Sequence, residues 1–149
     1  MINILYISIE GNTKAFIEKL EDYAVDLNKK DPANPLINAK EIDDTTPFEN
    51  ETQQYFVFVP TYLDGGNGID NGVKELMTNA LGEYISYDNN ANLCLGIIGS
   101  GNRNFNQQYC LTARRYAQEF NVPFLDNYEL RGTKNDVERI YQTLTECIK

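Results

Sequence analysis

The segment Ser8-Ile9-Glu10-Gly11-Asn12-Thr13 combines short hydroxyl and amide side chains with a single glycine. Those residue types suit an oxyanion. Ser8, Asn12 and Thr13 can hydrogen-bond phosphate oxygens, and Gly11 lets the backbone come close. The segment follows an apolar run and precedes a stretch of helical periodicity, so its unpaired N–H groups and the positive end of a helix dipole face one ligand. It contains no lysine in the manner of G-x-x-x-x-G-K-[ST], which favours a monophosphate over a nucleoside triphosphate. The same residues also make a plain helix N-cap, where Ser, Asn and Thr are favoured without any ligand.

Two later segments carry related chemistry. Pro60-Thr61-Tyr62-Leu63-Asp64-Gly65-Gly66-Asn67-Gly68 offers an aromatic face beside a backbone that changes conformation easily. Gly99-Ser100-Gly101-Asn102-Arg103-Asn104-Phe105 offers close backbone approach, amide donors, a cation and a second ring. A flat heteroaromatic ring fits between them, with Tyr62 and Phe105 stacking on it and loop N–H groups bonding its polar edge. Taken singly, each segment is also at home as an ordinary turn. Three of them at one end of a sheet favour a bound mononucleotide.

The elements that must position these loops follow from periodicity. Residues 2–8 read as a strand buried on both faces. Phe16, Ile17, Leu20, Tyr23, Ala24 and Leu27 form one stripe on a helix over residues 12–28. Pro32 and Pro35 break the chain, and residues 36–42 make a mixed-polarity strand suited to an edge. A dense apolar strand spans residues 53–60. Val73, Leu76, Met77, Ala80 and Leu81 mark a short helix, and a strand over residues 93–98 follows a polar tract. Tyr109, Ala113, Tyr116, Ala117 and Phe120 mark the next helix, and residues 122–130 the last strand. The final helix starts at Gly132-Thr133 and has the stripe Val137, Ile140, Tyr141, Leu144 and Ile148. Strands alternating with amphipathic helices predict an α/β fold. Its mostly parallel sheet of five strands, order 2-1-3-4-5, has helices on both faces and its ligand beyond the carboxyl ends of the strands.

At 149 residues the chain fits a single domain, residues 1–149. It has no histidine, which excludes Ser-His and Cys-His nucleophilic systems and histidine-ligated metal sites. Cys94, Cys110 and Cys147 are odd in number and widely spaced, as expected of reduced thiols in the cytoplasm. No run approaches the ~20 apolar residues of a membrane span. The net charge of −9 disfavours nucleic acid and anionic membranes as partners.

The motifs resemble a known family. Ser-x-Glu-Gly-Asn-Thr is similar to the phosphate loop of flavodoxins, where Thr is more usual at the positions of Ser8 and Glu10. Gly99-Ser-Gly-Asn-Arg-Asn-Phe105, followed by Tyr109, resembles NrdI more particularly, and so does Tyr128-Glu-Leu-Arg-Gly-Thr133. The resemblance covers essentially the whole chain and implies a flavodoxin-like fold with FMN as cofactor. It implies contacts to FMN from Ser8, Glu10, Gly11, Asn12, Thr13, Thr61, Tyr62, Gly65, Gly66, Ser100, Gly101, Asn102, Arg103 and Phe105. The implied partner is the small dimanganese subunit of class Ib ribonucleotide reductase, with an unidentified electron donor. The implied role is to pass an oxidant, made from reduced flavin and dioxygen, to the metal site where a tyrosyl radical is assembled. Residues 62–72 depart from the shorter second loop of some relatives. Arg103 lies where a cation favours the anionic reduced flavin.

Rival readings share the topology. A general low-potential electron-transfer flavodoxin, or a flavin reductase, shares FMN as well. A signalling receiver domain wants an acidic pair after the first strand, where this chain has Ser8. It also wants an Asp ending the third strand, where this chain has Pro60-Thr61. A low-molecular-weight phosphatase needs a Cys nucleophile and an Arg in the first loop, and this loop has neither.

Overall fold

Alternation of strand and helix along the chain becomes a doubly covered sheet in the computed structural model, which describes residues 1–9, 11–61, 80–101 and 110–148. The strands are β1 (Ile2–Tyr6), β2 (Ile37–Glu41), β3 (Tyr55–Pro60), β4 (Cys94–Gly101) and β5 (Phe124–Glu129). The helices are α1 (Asn12–Lys30), α2 (Ala80–Ser86), α3 (Leu111–Phe120) and α4 (Lys134–Cys147). All neighbouring strands pair in parallel, in the order β2-β1-β3-β4-β5, as the alternating pattern predicts. No described helix is long and apolar enough to cross a membrane.

Successive side chains of the central strands go to opposite faces, because the strand period is two. Ile2, Ile4 and Tyr6 of β1 join Phe56 and Phe58 of β3 under α1 and α4, against Phe16, Leu20, Ile140 and Leu144. Leu5, Ile7, Tyr55, Val57 and Val59 turn the other way and meet Leu81, Tyr84 and Ile85 of α2 and Ala113 of α3. Apolar residues at nearly every position of β1 and β3 are thus the signature of a sheet with no solvent face.

The boundaries differ from the pattern in instructive places. The helix expected to end near Leu81 continues to Ser86 and buries Tyr84 and Ile85; the part of that expectation on residues 73–79 lies outside the described residues. The polar tract before β4 holds a 3₁₀ turn, Asn90–Leu93. Buried Asn90 makes that turn a hub. Its Oδ1 accepts from Glu51 N–H at 2.7 Å, and its Nδ2 donates to Glu49 O at 2.9 Å and Tyr84 O at 3.0 Å. Polarity alone made this tract look like a loop, whereas its amide is fully used inside the protein. β4 also runs further than residues 93–98, so Ser100 and Gly101 are strand residues paired with Tyr128 and Glu129 rather than loop residues.

The turn from β5 to α4 is built for close approach. Phe16 of α1 stacks on Tyr128 with ring centroids 3.8 Å apart and planes 12° from parallel. Gly132 closes over that pair at φ +71°, and a Cβ there would lie 2.5 Å from Phe16 Cδ2. Thr133 then caps α4 reciprocally. Its hydroxyl accepts from Asp136 N–H at 3.2 Å, and its N–H donates to the Asp136 carboxylate at 2.8 Å.

Gly132→Ala combines a left-handed backbone with a clash, and is expected to lower unfolding free energy by about 2–4 kcal/mol in urea titrations. Gly11→Ala has φ +89° but open space around the new Cβ, so about 1 kcal/mol is expected. Equal losses at the two sites would refute the role given to the Phe16 contact. The Asp136 carboxyl is partly desolvated, which raises its pKa, but bonds from Thr133 N–H, the Thr133 hydroxyl and Arg139 prevail and hold it below 3.8. A depressed carboxyl contributes stability above its unfolded value and loses it as pH falls through its folded value. Stability of the wild type should therefore fall more steeply below about pH 4 than that of Asp136→Asn, as read by urea titration across acid pH.

Candidate functional site

In a parallel sheet every strand points its carboxyl end the same way, so the loops after β1, β3, β4 and β5 share one rim. Lateral bonds extend the sheet at this rim. Thr61 N–H donates to Ser100 O at 2.9 Å, and Leu130 N–H donates to Gly101 O at 2.9 Å. The rim is thereby a fixed frame, in which the ends of β3, β4 and β5 cannot move independently.

The loop after β1 opens α1. Gly11 takes a left-handed conformation, φ +89° and ψ −7°, immediately before the first helical residue. Of the first-turn donors, Lys14 N–H is accepted by Ser8 Oγ at 3.2 Å. The next amide, Ala15 N–H, makes the first intrahelical bond, to Gly11 O at 3.0 Å. Among the described residues nothing accepts from the N–H groups of Asn12 and Thr13. Ser8 therefore does act as a helix cap, but it satisfies one donor and leaves the head of α1 open.

Thr13 gives the sharper signal. The residue is fully buried, and among the described residues its Oγ1 has no hydrogen-bond partner. A buried hydroxyl without a partner is costly, by about 1–3 kcal/mol, and natural proteins rarely leave one without a reason. An oxyanion at the α1 head would offer acceptors to Thr13 and to the open N–H groups together.

Thr61 has structural work as well. Its Oγ1 accepts from Thr112 N–H at 2.8 Å and so caps α3 across the chain. Its own O–H remains a donor at the rim. Ser100 is buried and lies between Pro60 and Tyr128 in register, and Gly101 ends β4 beside Glu129. The structure thus brings Ser8, Gly11, Asn12, Thr13, Thr61, Ser100 and Gly101 to the same rim. Glu10, Tyr62, Gly65, Gly66, Asn102, Arg103 and Phe105 lie outside the described residues.

One participant was not singled out from sequence. Arg131, in the β5–α4 turn, donates from Nε to Asn12 Oδ1 at 3.1 Å. Lys19 of α1 donates to the carbonyls of Arg131 and Gly132 at 3.3 and 3.4 Å, tying the turn to the helix a second time. A groove of about 550 Å³ runs between them, lined by Asn12, Arg131, Gly132, Thr133 and Asp136 among others. Its signal in the sequence was the Arg inside Tyr128-Glu-Leu-Arg-Gly-Thr133, but only the packing of α1 beside α4 places that arginine near Asn12.

Cys94 stands apart from this chemistry. It starts β4 at the opposite end of the sheet, where burial pushes its thiol up to about 11. None of the three cysteines forms a disulfide; Cys94 and Cys110 are buried and Cys147 is exposed. A site made of neutral donors, an open helix head and one nearby cation fits a phosphate ester held without covalent chemistry.

Comparison with known proteins agrees with this geometry. The family model described as NrdI flavodoxin-like matches residues 4–142. A putative NrdI-like protein of Streptococcus pyogenes is 46% identical over 147 residues, covering 98% of this chain and 89% of that protein. Protein NrdI of Mycoplasma genitalium is 34% identical over 136 residues, covering 91% of this chain and 77% of that protein. Among solved structures, a flavodoxin of Streptococcus pneumoniae superposes with a TM-score of 0.63 at 19% identity, over 99% of this chain and 97% of that one. Such a fold with such a family implies FMN as the cofactor. With sheet order, open α1 head and family match in agreement, the chain belongs to the NrdI flavodoxin-like family.

Proposed function

We propose that this chain is a single FMN-binding redox domain, residues 1–149, acting in the cytoplasm. Its role is to supply the oxidant that assembles the dimanganese-tyrosyl radical cofactor in the small subunit of class Ib ribonucleotide reductase. The observation that carries the reading is the head of α1, where buried, unpartnered Thr13 Oγ1 and open N–H groups await an oxyanion in a chain of the NrdI family. Bound FMN supplies one- and two-electron chemistry and, when reduced, reaction with dioxygen.

The protein's part is to bind and orient. Gly11 brings the backbone near the phosphate, Ser8 fixes Lys14 N–H, and Asn12 and Thr13 supply donors from the first turn. The ties from Thr61 to Ser100 and from Leu130 to Gly101 hold the strand ends where the ring is to rest. Tyr62, Gly65, Gly66, Asn102, Arg103 and Phe105 belong to the proposed ring site on the strength of the family resemblance. No nucleic acid or membrane enters this reading, and the electron donor is one yet to be identified.

The reading is tested by reducing the FMN-loaded protein without oxygen and mixing it with the manganese-loaded small subunit and dioxygen. A tyrosyl radical signal that needs both the protein and its flavin is expected. Flavin that passes electrons to an acceptor but yields no radical would place the chain with general electron-transfer flavodoxins instead. Thr13→Val keeps shape and removes the hydroxyl. It is expected to leave the flavin-free protein as stable as the wild type or more so, by up to about 1 kcal/mol, since no internal bond is lost. FMN affinity, read by fluorescence quenching, should fall by about tenfold for the loss of one charge-assisted bond. A stability loss with unchanged affinity would remove Thr13 from the site.

A further inference from the structure

Two helices present their N-termini at the rim beside the groove, and they are treated in opposite ways. The α4 head is closed by Thr133 and Asp136, and Asp136 also accepts from Arg139 at 2.9 Å. Its first turn carries an acid, as the dipole favours. The α1 head carries no acid in its first turn. It has a guanidinium beside it, although a cation is disfavoured at the positive end of a helix.

The partners of that guanidinium are few. All three nitrogens of Arg139 are engaged, bonded to Asp126, Asp136 and Asn127 O at 2.8–2.9 Å. Arg131 bonds through Nε to an uncharged amide, and among the described residues no carboxylate pairs with it. Among the described residues nothing accepts from its terminal nitrogens. The chain as a whole is acidic, with a net charge of −9, yet no described carboxylate is brought to this cation. Beside it, in the same first turn, buried Thr13 Oγ1 has no partner. Among the described residues neither group has an anionic partner.

We propose that Arg131 is the specificity-determining cation of the phosphate subsite. Anchored on Asn12, it makes the site select a flavin bearing a dianionic phosphate ester over the same ring without one. This rests on the flavin reading above and adds to it a residue outside the phosphate loop. Asn12 sets the direction of the guanidinium by accepting from Nε, and the Lys19 bonds to the Arg131 and Gly132 carbonyls hold the turn that carries it. The lysine absent from the loop after β1 is thereby replaced by an arginine delivered from the far edge of the sheet.

The test measures affinities for FMN and riboflavin side by side, at low and high ionic strength, in wild type, Arg131→Gln and Arg131→Lys. Thermal unfolding of the flavin-free proteins is followed in parallel. Arg131→Gln is expected to weaken FMN by about fivefold to tenfold at low salt, to leave riboflavin unchanged, and to converge on the wild type as salt rises. Arg131→Lys, which keeps the charge, should retain more FMN preference than Arg131→Gln. Equal weakening of both ligands, no weakening of either, or a lysine variant as poor as the glutamine one would each overturn the assignment while leaving the flavin site in place. A wild type that binds neither ligand, or binds both equally, would overturn the flavin-phosphate reading itself and this assignment with it.

Discussion

The stacked pair Phe16 and Tyr128 governs how the rim is assembled. Its 3.8 Å ring separation brings the first turns of α1 directly under the β5–α4 turn. That distance is possible only because Gly132 offers no side chain above Phe16. Everything nearby depends on it. The Arg131 to Asn12 bond, the Lys19 bonds and the groove between the two helices all require the turn to sit against α1. The two rings lie nearly face to face, 12° from parallel, and bury large apolar surfaces against each other.

A second constraint comes from sheet chemistry. With both faces covered, the strand ends at the rim are where backbone polar groups can meet a ligand, and those buried there must find partners. The rim shows both. Thr61 Oγ1 accepts from the head of α3, and Leu130 continues the β4–β5 ladder by one bond, whereas the head of α1 is left open among the described residues. Closed ends hold the frame, and the open end is where an anion is worth most, because the donors are already oriented and need no rearrangement.

Much of this was legible in the residues themselves. The two-faced burial of β1 and β3 follows from unbroken apolar runs, and strand-helix alternation led directly to the parallel order. The loop at Ser8 to Thr13 could be recognised from residue types, although sequence alone could not separate a cap from a ligand site. The structure divides that loop's labour: Ser8 caps, and Thr13 is left waiting. Three features stayed hidden for a shared reason, namely that each is a partnership across the chain. The polarity of Asn90 concealed a buried hub, Thr61 caps a helix fifty-one positions away, and Arg131 meets Asn12 only through the packing of α1 beside α4. Local pattern carries no information about such distant partners.

The Phe16–Tyr128 stack also has a consequence for the order of events during synthesis. A ribosome releases the N-terminal anion loop first and the aromatic ring that seats its helix nearly last. Until β5 and α4 have emerged, Phe16 has no stacking partner and Asn12 no guanidinium, even if β1, β2 and β3 have already paired. The head of α1 thus reaches its final surroundings only when the last strand and helix have been made.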